Sequence, residues 1–249
     1  MQGLPGGVPD PQQLQATMLA IEQACSLIQV HMNPAEAEKV LSSLHSSLMP
    51  YQACRFILET SLMPNARFQA AGAIGDAAIR EWGILTDDNK RSLILYCLNY
   101  VMEHTGSPDG YVQSKVSAVA ARLLKRGWLE FPDQEKGAIF FEVEQSIQGM
   151  HGPNRQFAGI NFLETLVSEF SPSTASSMGL PKEFHDQCQL SLEVKFLKGL
   201  LLLGTSCCIQ YRRQNLEFKC NYTRGESMFG GIAPHASNFK LELQANFGT

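Results

Sequence analysis

The chain has 249 residues, of which 44% are hydrophobic and 18% are charged, so it is long enough to bury a sizeable core. A formal net charge of −4 argues against a nucleic-acid-binding protein that depends on phosphate contacts. The longest apolar stretch, GLLLLG at 199–204, is too short to cross a bilayer, and the N-terminus lacks the basic start and apolar run of a signal peptide. We therefore expect no nucleic-acid or membrane partner, and seven cysteines that remain reduced thiols.

The charge is unevenly distributed along the chain. Residues 1–197 contain 14 Lys and Arg against 21 Asp and Glu, a balance of −7, whereas residues 198–249 contain 6 against 3, a balance of +3. The acidic body and the basic end therefore differ in character.

Helical patterns follow one another through most of the acidic body. They cover 11–31, 33–47, 50–61, 67–82, 87–104, 111–128, 133–150 and 155–170. No convincing alternating strand pattern occurs before residue 190. The sequence therefore predicts an all-α protein.

Three of these helices form a repeat. The segments that begin at residues 67, 113 and 155 are small-residue amphipathic helices, and they end on Trp82, Trp128 and Phe170, at spacings of 46 and 42 residues. A two-helix unit of about 40–47 residues is typical of HEAT repeats, which share one continuous core by stacking. We predict an α-solenoid of HEAT-like hairpins, an armadillo-like superhelix, with these residues packed between hairpins: Ala71, Ile74, Ala78, Trp82, Val119, Leu123, Trp128 and Phe170.

No catalytic arrangement is visible. The six histidines are scattered without metal-ligand spacing, and the chain contains no H-E-x-x-H, no G-x-G-x-x-G, no P-loop and no G-x-S-x-G. We therefore expect a protein that is not an enzyme and uses no metal or cofactor.

Partner binding is the remaining class of function. A solenoid presents its second helices on the concave side, where partners bind. The polar faces of these helices offer one set of candidate contacts: Arg67, Asp76, Arg80, Glu81, Lys115, Arg122 and Lys125, followed by Glu164 and Glu169. Each residue alone is compatible with an ordinary solvated surface, and Lys125 also with a partner of the helix dipole. Only the set indicates binding.

The motif ARFQAAGAIGDAAIREW resembles the signature helix of the importin-β N-terminal domain. Together with KRGWLEF and LVSEFS…GL…EFH it makes the chain similar to the importin-β/exportin family, and to one plant member of it, from about Leu14 to Leu197. The resemblance implies a nuclear export receptor that binds GTP-loaded Ran, meets nuclear pore proteins, carries protein cargo, and shuttles between nucleus and cytoplasm. Family members are several times longer, so the resemblance also implies an N-terminal portion that lacks most of the cargo-binding arch.

The organisation we expect is a flexible leader at 1–10, HEAT repeats at 11–197 and an aberrant tail at 198–249. The tail has no helical period, and the resemblance is expected to stop near Lys198. Shifting a permissible coding of residues 221–242 by one base restores an Ala/Leu helix that ends in Trp. We therefore hypothesise a frameshift or splice product with a poorly ordered tail. A HEAT scaffold that takes no part in transport remains the alternative function.

Overall fold

The computed structural model describes residues 10–148, 152–171 and 178–197, together with the single residues 199 and 202. Within these residues the regular structure is entirely helical, so the prediction of an all-α protein is confirmed. The helices are α1 (Pro11–Gln29), α2 (Pro34–Ser46), α3 (Tyr51–Thr60), α4 (Pro64–Arg80), α5 (Asp87–Glu103), α6 (Gly110–Arg126), α7 (Asp133–Ile147), α8 (Pro153–Phe170) and α9 (Lys182–Leu192), which continues as a π-helical turn (Glu193–Leu197).

The helices pair in chain order and the pairs stack. Helices α1 and α2, α3 and α4, α5 and α6, and α7 and α8 each pack together as a hairpin. Successive hairpins contact one another mainly through their second helices, in the order α2, α4, α6, α8, and α9 packs on α8. This is the predicted α-solenoid of HEAT-like hairpins.

Local chemistry explains where several helices begin. Proline occupies the first turn of α1, α2, α4 and α8. A backbone N–H at these positions would have no acceptor within the helix, so proline removes no hydrogen bond there. The Asp10 side chain caps α1 by accepting from the backbone N–H of Gln12 at 3.0 Å. The Thr86 hydroxyl accepts from the N–H of Asn89 at 3.3 Å and caps α5 in the same way.

Small residues let α4 lie between two neighbouring helices. A Cβ added at Gly72 would lie 2.9 Å from Cε1 of His45 on α2, and one added at Gly75 would lie 3.1 Å from Cγ2 of Val119 on α6. The glycines therefore occupy positions where the neighbouring side chain already fills the space of a methyl group.

Aromatic rings fill the junctions between hairpins. The Trp82 ring lies 6.4 Å from that of Phe131, which follows α6. The Trp128 ring contacts Phe170 at the end of α8 edge to face, with 4.9 Å between centroids, and it also contacts Phe196 at 5.3 Å. The residues expected to pack between hairpins are all buried: Ala71, Ile74, Ala78, Trp82, Val119, Leu123, Trp128 and Phe170.

Two features differ from the sequence analysis or lie beyond it. Helix α9 was not predicted, and it covers the far side of α8. Most of the expected leader and tail, residues 1–9 and nearly all of 198–249, lies outside the described residues, so the domain limits and the frameshift hypothesis stay predictions. Among the described helices, none is long and apolar enough to cross a membrane.

Candidate partner-binding surface

A row of polar side chains crosses three second helices. Nδ1 of His45 on α2 lies 2.7 Å from Oδ2 of Asp76 on α4, and Oδ1 of Asp76 lies 3.7 Å from Nη1 of Arg122 on α6. Gln69, two turns before Asp76 in α4, places Oε1 3.1 Å from Nε2 of His45. The three charged or titratable side chains are partly exposed, at 28%, 47% and 26%. Partners can therefore reach the row, and its members are already held in place.

An open groove of about 540 Å³ runs beside this row between α2 and α4. Arg80 closes one end, because its guanidinium donates to the carbonyl oxygens of His45 at 2.9 Å and Ser47 at 2.7 Å. These carbonyls belong to the last turn and the C-cap of α2, which lack an intrahelical donor, so Arg80 stabilises the end of α2. The groove is lined by Glu38, Leu41, Ser42, His45, Ser46, Gln69, Asp76 and Arg80.

A second group of predicted residues lies near the N-terminal ends of α4 and α6. Nη2 of Arg67 pairs with the Asp109 carboxylate at 2.6 Å. The Lys115 ammonium lies 5.2 Å from the centre of the Phe68 ring, within the range of a cation–π contact. Both cations are fixed by contacts between neighbouring hairpins, so this edge of the surface has a defined charge pattern.

The prediction that Glu81 lies on the partner-binding surface is wrong. Its side chain is buried, and its carboxylate accepts hydrogen bonds from the Tyr51 hydroxyl at 2.8 Å and the backbone N–H of Met49 at 3.1 Å. Burial and then the bond to Glu81 raise the pKa of Tyr51 above its ordinary range. Glu81 therefore fixes the connection between α2 and α3 and presents no group to a partner.

The prediction that Lys125 lies on the partner-binding surface is also wrong. This residue is 0% exposed, and Nζ donates to the backbone carbonyl of Glu169 at 2.5 Å. Helix α9 covers this side, with Sγ of Cys188 lying 3.9 Å from the Lys125 carbonyl oxygen. Burial lowers the pKa of Lys125. Lys125 thus supplies a donor to the last turn of α8 inside the molecule, while Glu164 and Glu169 are only partly exposed.

Two lysines that were not among the predicted site residues belong to the repeat. The ammonium of Lys90 lies 5.2 Å from the Trp82 ring, and that of Lys136 lies 5.1 Å from the Trp128 ring. Each lysine is the eighth residue after its tryptophan, and each pairs with an aspartate three residues before it, at 3.2 Å and 2.8 Å. The recurrence of W-x₇-K with an internal D-x-x-K was visible in the sequence. It marks the repeat more specifically than the terminal aromatic alone.

Comparison with known proteins identifies similar chains. The sequence matches the Exportin-4 family over residues 13–211. Exportin-4 of Dictyostelium discoideum is 28% identical over 182 residues, an alignment that covers 67% of this chain and 16% of the relative. The chain therefore spans about a sixth of that relative's length. The family match ends at residue 211, a little beyond the point near Lys198 where the resemblance is expected to stop.

Proposed function

The chain belongs to the exportin-4 family of nuclear transport receptors, and on this premise we propose that it binds GTP-loaded Ran as the N-terminal portion of a nuclear export receptor. In this proposal the receptor meets nuclear pore proteins, shuttles between nucleus and cytoplasm, and carries protein cargo. Most of the cargo contacts belong to the part of the receptor that this chain does not span. The repeats at 11–197 form the unit that contacts Ran.

The polar row on the second helices supports a binding role. Asp76 joins α2 to α6 through His45 and Arg122, so the charged groups of three hairpins have fixed relative positions. A charge that is already held in place loses little conformational entropy when a partner binds. The proposed Ran contacts are the five predicted residues of α4 and α6 that lie outside the core: Arg67, Asp76, Arg80, Lys115 and Arg122.

Lys115 offers the cleanest test of this surface. Its side chain is partly exposed and lies over the Phe68 ring, and it takes part in no ion pair within the described part of the chain. Replacing it by glutamate therefore reverses a charge at the surface without breaking a salt bridge of the fold. Lys182, exposed on α9 and outside the proposed set of Ran contacts, provides the matched control with the same change of charge.

The experiment is capture of Ran locked in its GTP form and in its GDP form. We expect the unmodified chain to retain the GTP form selectively, Lys115→Glu to weaken capture at least tenfold, about 1.4 kcal/mol, and Lys182→Glu to leave it unchanged. Equal capture of both forms would favour a HEAT scaffold without a transport role. A protein extended to the full length of the family is run in parallel, and loss of selectivity there too would refute the proposal.

A further inference from the structure

The turn between α5 and α6 presents a serine that is followed by proline. Gly106 has a left-handed φ of +78°, a conformation that favours glycine. Ser107 is partly exposed, and Pro108 is exposed. The residue before a proline is restricted to extended backbone, which is the form in which protein kinases bind their substrate segments. One other Ser-Pro pair occurs in the chain, at 171–172.

The surroundings of Ser107 favour an added anion. Oγ of Ser107 accepts from the backbone N–H of Asp109 at 3.2 Å, so the hydroxyl already lies at the beginning of α6. Asp109 is the N-cap residue of this 17-residue helix, yet its carboxylate makes no capping bond, because it pairs with Arg67 at 2.6 Å. The Arg67 side chain is largely buried, and its guanidinium also interacts with Tyr100. The first N–H groups of α6 and, through Asp109, the Arg67 guanidinium therefore belong to the same turn as this hydroxyl.

We propose that Ser107 is a phosphorylation site for a proline-directed serine/threonine kinase. The Ser107 oxygen forms a bond to the γ-phosphorus of ATP, the bond from that phosphorus to the ADP oxygen breaks, and the hydroxyl proton passes to the kinase base. The products are phosphoserine and ADP. This inference does not rest on Ran binding.

The phosphate has a structural consequence that distinguishes this turn from an arbitrary surface serine. It carries a charge of about −1.5 to −2, which the N-terminal dipole of α6 favours. Its oxygens accept from the free N–H groups of α6 and from Arg67, and they compete with the Asp109 carboxylate for the guanidinium. Phosphorylation therefore tightens the junction between α4 and α6.

The site is tested on the full chain with a purified cyclin-dependent kinase and ATP, followed by mass spectrometry. We expect phosphate on Ser107 in the unmodified chain and in Ser171→Ala, none at residue 107 in Ser107→Ala, and at least a tenfold loss in Pro108→Ala. Circular dichroism establishes that each variant is folded. Modification confined to Ser171, or equal modification of Ser107 with and without Pro108, overturns the assignment.

The capping role has its own measurement. Phosphorylated chain is expected to melt about 2 °C higher than the unmodified chain, and this rise is expected to vanish in Arg67→Met. A rise that persists in Arg67→Met excludes the guanidinium as the phosphate partner. No rise in either protein excludes capping altogether.

Discussion

At the scale of single residues, Trp82 is buried in the core and also contacts polar and charged side chains. Its side chain is 2% exposed, and its indole Nε1 donates to Oε2 of Glu130 at 2.9 Å. Lys90 and Arg126 lie over the ring at 5.2 and 5.3 Å. The residue therefore joins α4 to the ends of α5 and α6 through packing, one hydrogen bond and two cation–π contacts.

Truncation of this side chain gives a stability prediction. We expect Trp82→Ala to lower the free energy of unfolding by about 3–5 kcal/mol, because it removes a large buried ring and leaves a cavity at the junction. Ile84, two residues further on and 70% exposed, provides the control, and Ile84→Ala is expected to change stability by less than about 0.5 kcal/mol. Urea unfolding measures both, and equal midpoints would disprove the packing role of Trp82.

At the scale of helices, replacing glycine by alanine is expected to change stability in opposite directions at two positions in adjacent helices. A Cβ at Gly137 in α7 meets no atom within 4 Å, so Gly137→Ala is expected to stabilise by about 0.5–1 kcal/mol through helix propensity. A Cβ at Gly159 in α8 would lie 2.6 Å from Cγ1 of Ile147, so Gly159→Ala is expected to destabilise by about 1–3 kcal/mol. Thermal melts of the two variants provide the comparison, and a shift in the same direction would contradict the packing.

The elements also show which parts of the fold were predictable. Periodicity located eight helices to within a few residues, because each buries one face of a regular amphipathic pattern. Helix α9 was missed because it follows a Ser- and Pro-rich stretch that gives no periodic signal. That omission explains the error at Lys125, whose apparent solvent side is covered by α9.

The candidate surface was less predictable than the fold. The pattern of α4 alone predicts that Asp76 lies on the polar face of its helix. Its contacts with His45 and Arg122 depend on how three helices are aligned with one another. Glu81 was misplaced for a similar reason, since the connection between α2 and α3 folds back over the end of α4 and buries it. Local sequence carries the period of the helices, whereas these contacts depend on how the hairpins stack.

At the scale of the whole molecule, buried thiols recur along the solenoid. Cys54 lies in α3, Cys97 in α5 and Cys188 in α9, and all three are buried and free. Burial raises the pKa of each thiol from 9.0 to about 12. The folded chain therefore keeps three protons that the unfolded chain releases above pH 9.

This difference predicts how stability depends on alkaline pH. Because the unfolded state binds fewer protons, the free energy of unfolding falls as pH rises from about 9 to 12, by about 1.4 kcal/mol per pH unit for each thiol. The lowered pKa of buried Lys125 opposes this fall below pH 10.5, but it is a single group, and the raised pKa of Cys25, a fourth buried thiol, adds to the fall. Urea unfolding at pH 8, 9 and 10 measures the slope.

A variant identifies the source of the slope. Cys54→Ala is expected to reduce it by about 1.4 kcal/mol per pH unit. Ile57→Val in the same helix removes a methylene and no titrating group, so it is expected to lower stability by a similar amount at every pH. An unchanged slope in Cys54→Ala would exclude that thiol as a contributor.

The tryptophan at each hairpin junction has a consequence for spectroscopy. The chain contains two indoles, and they lie at different junctions in different surroundings. Trp82 is hydrogen-bonded to a carboxylate and flanked by two cations. Trp128 lies among the rings of Phe140, Phe170 and Phe196, and its Nε1 has no acceptor within the described residues. Variants that keep only one of the two tryptophans therefore report on one junction each, so fluorescence can show whether the solenoid opens one hairpin at a time or all at once.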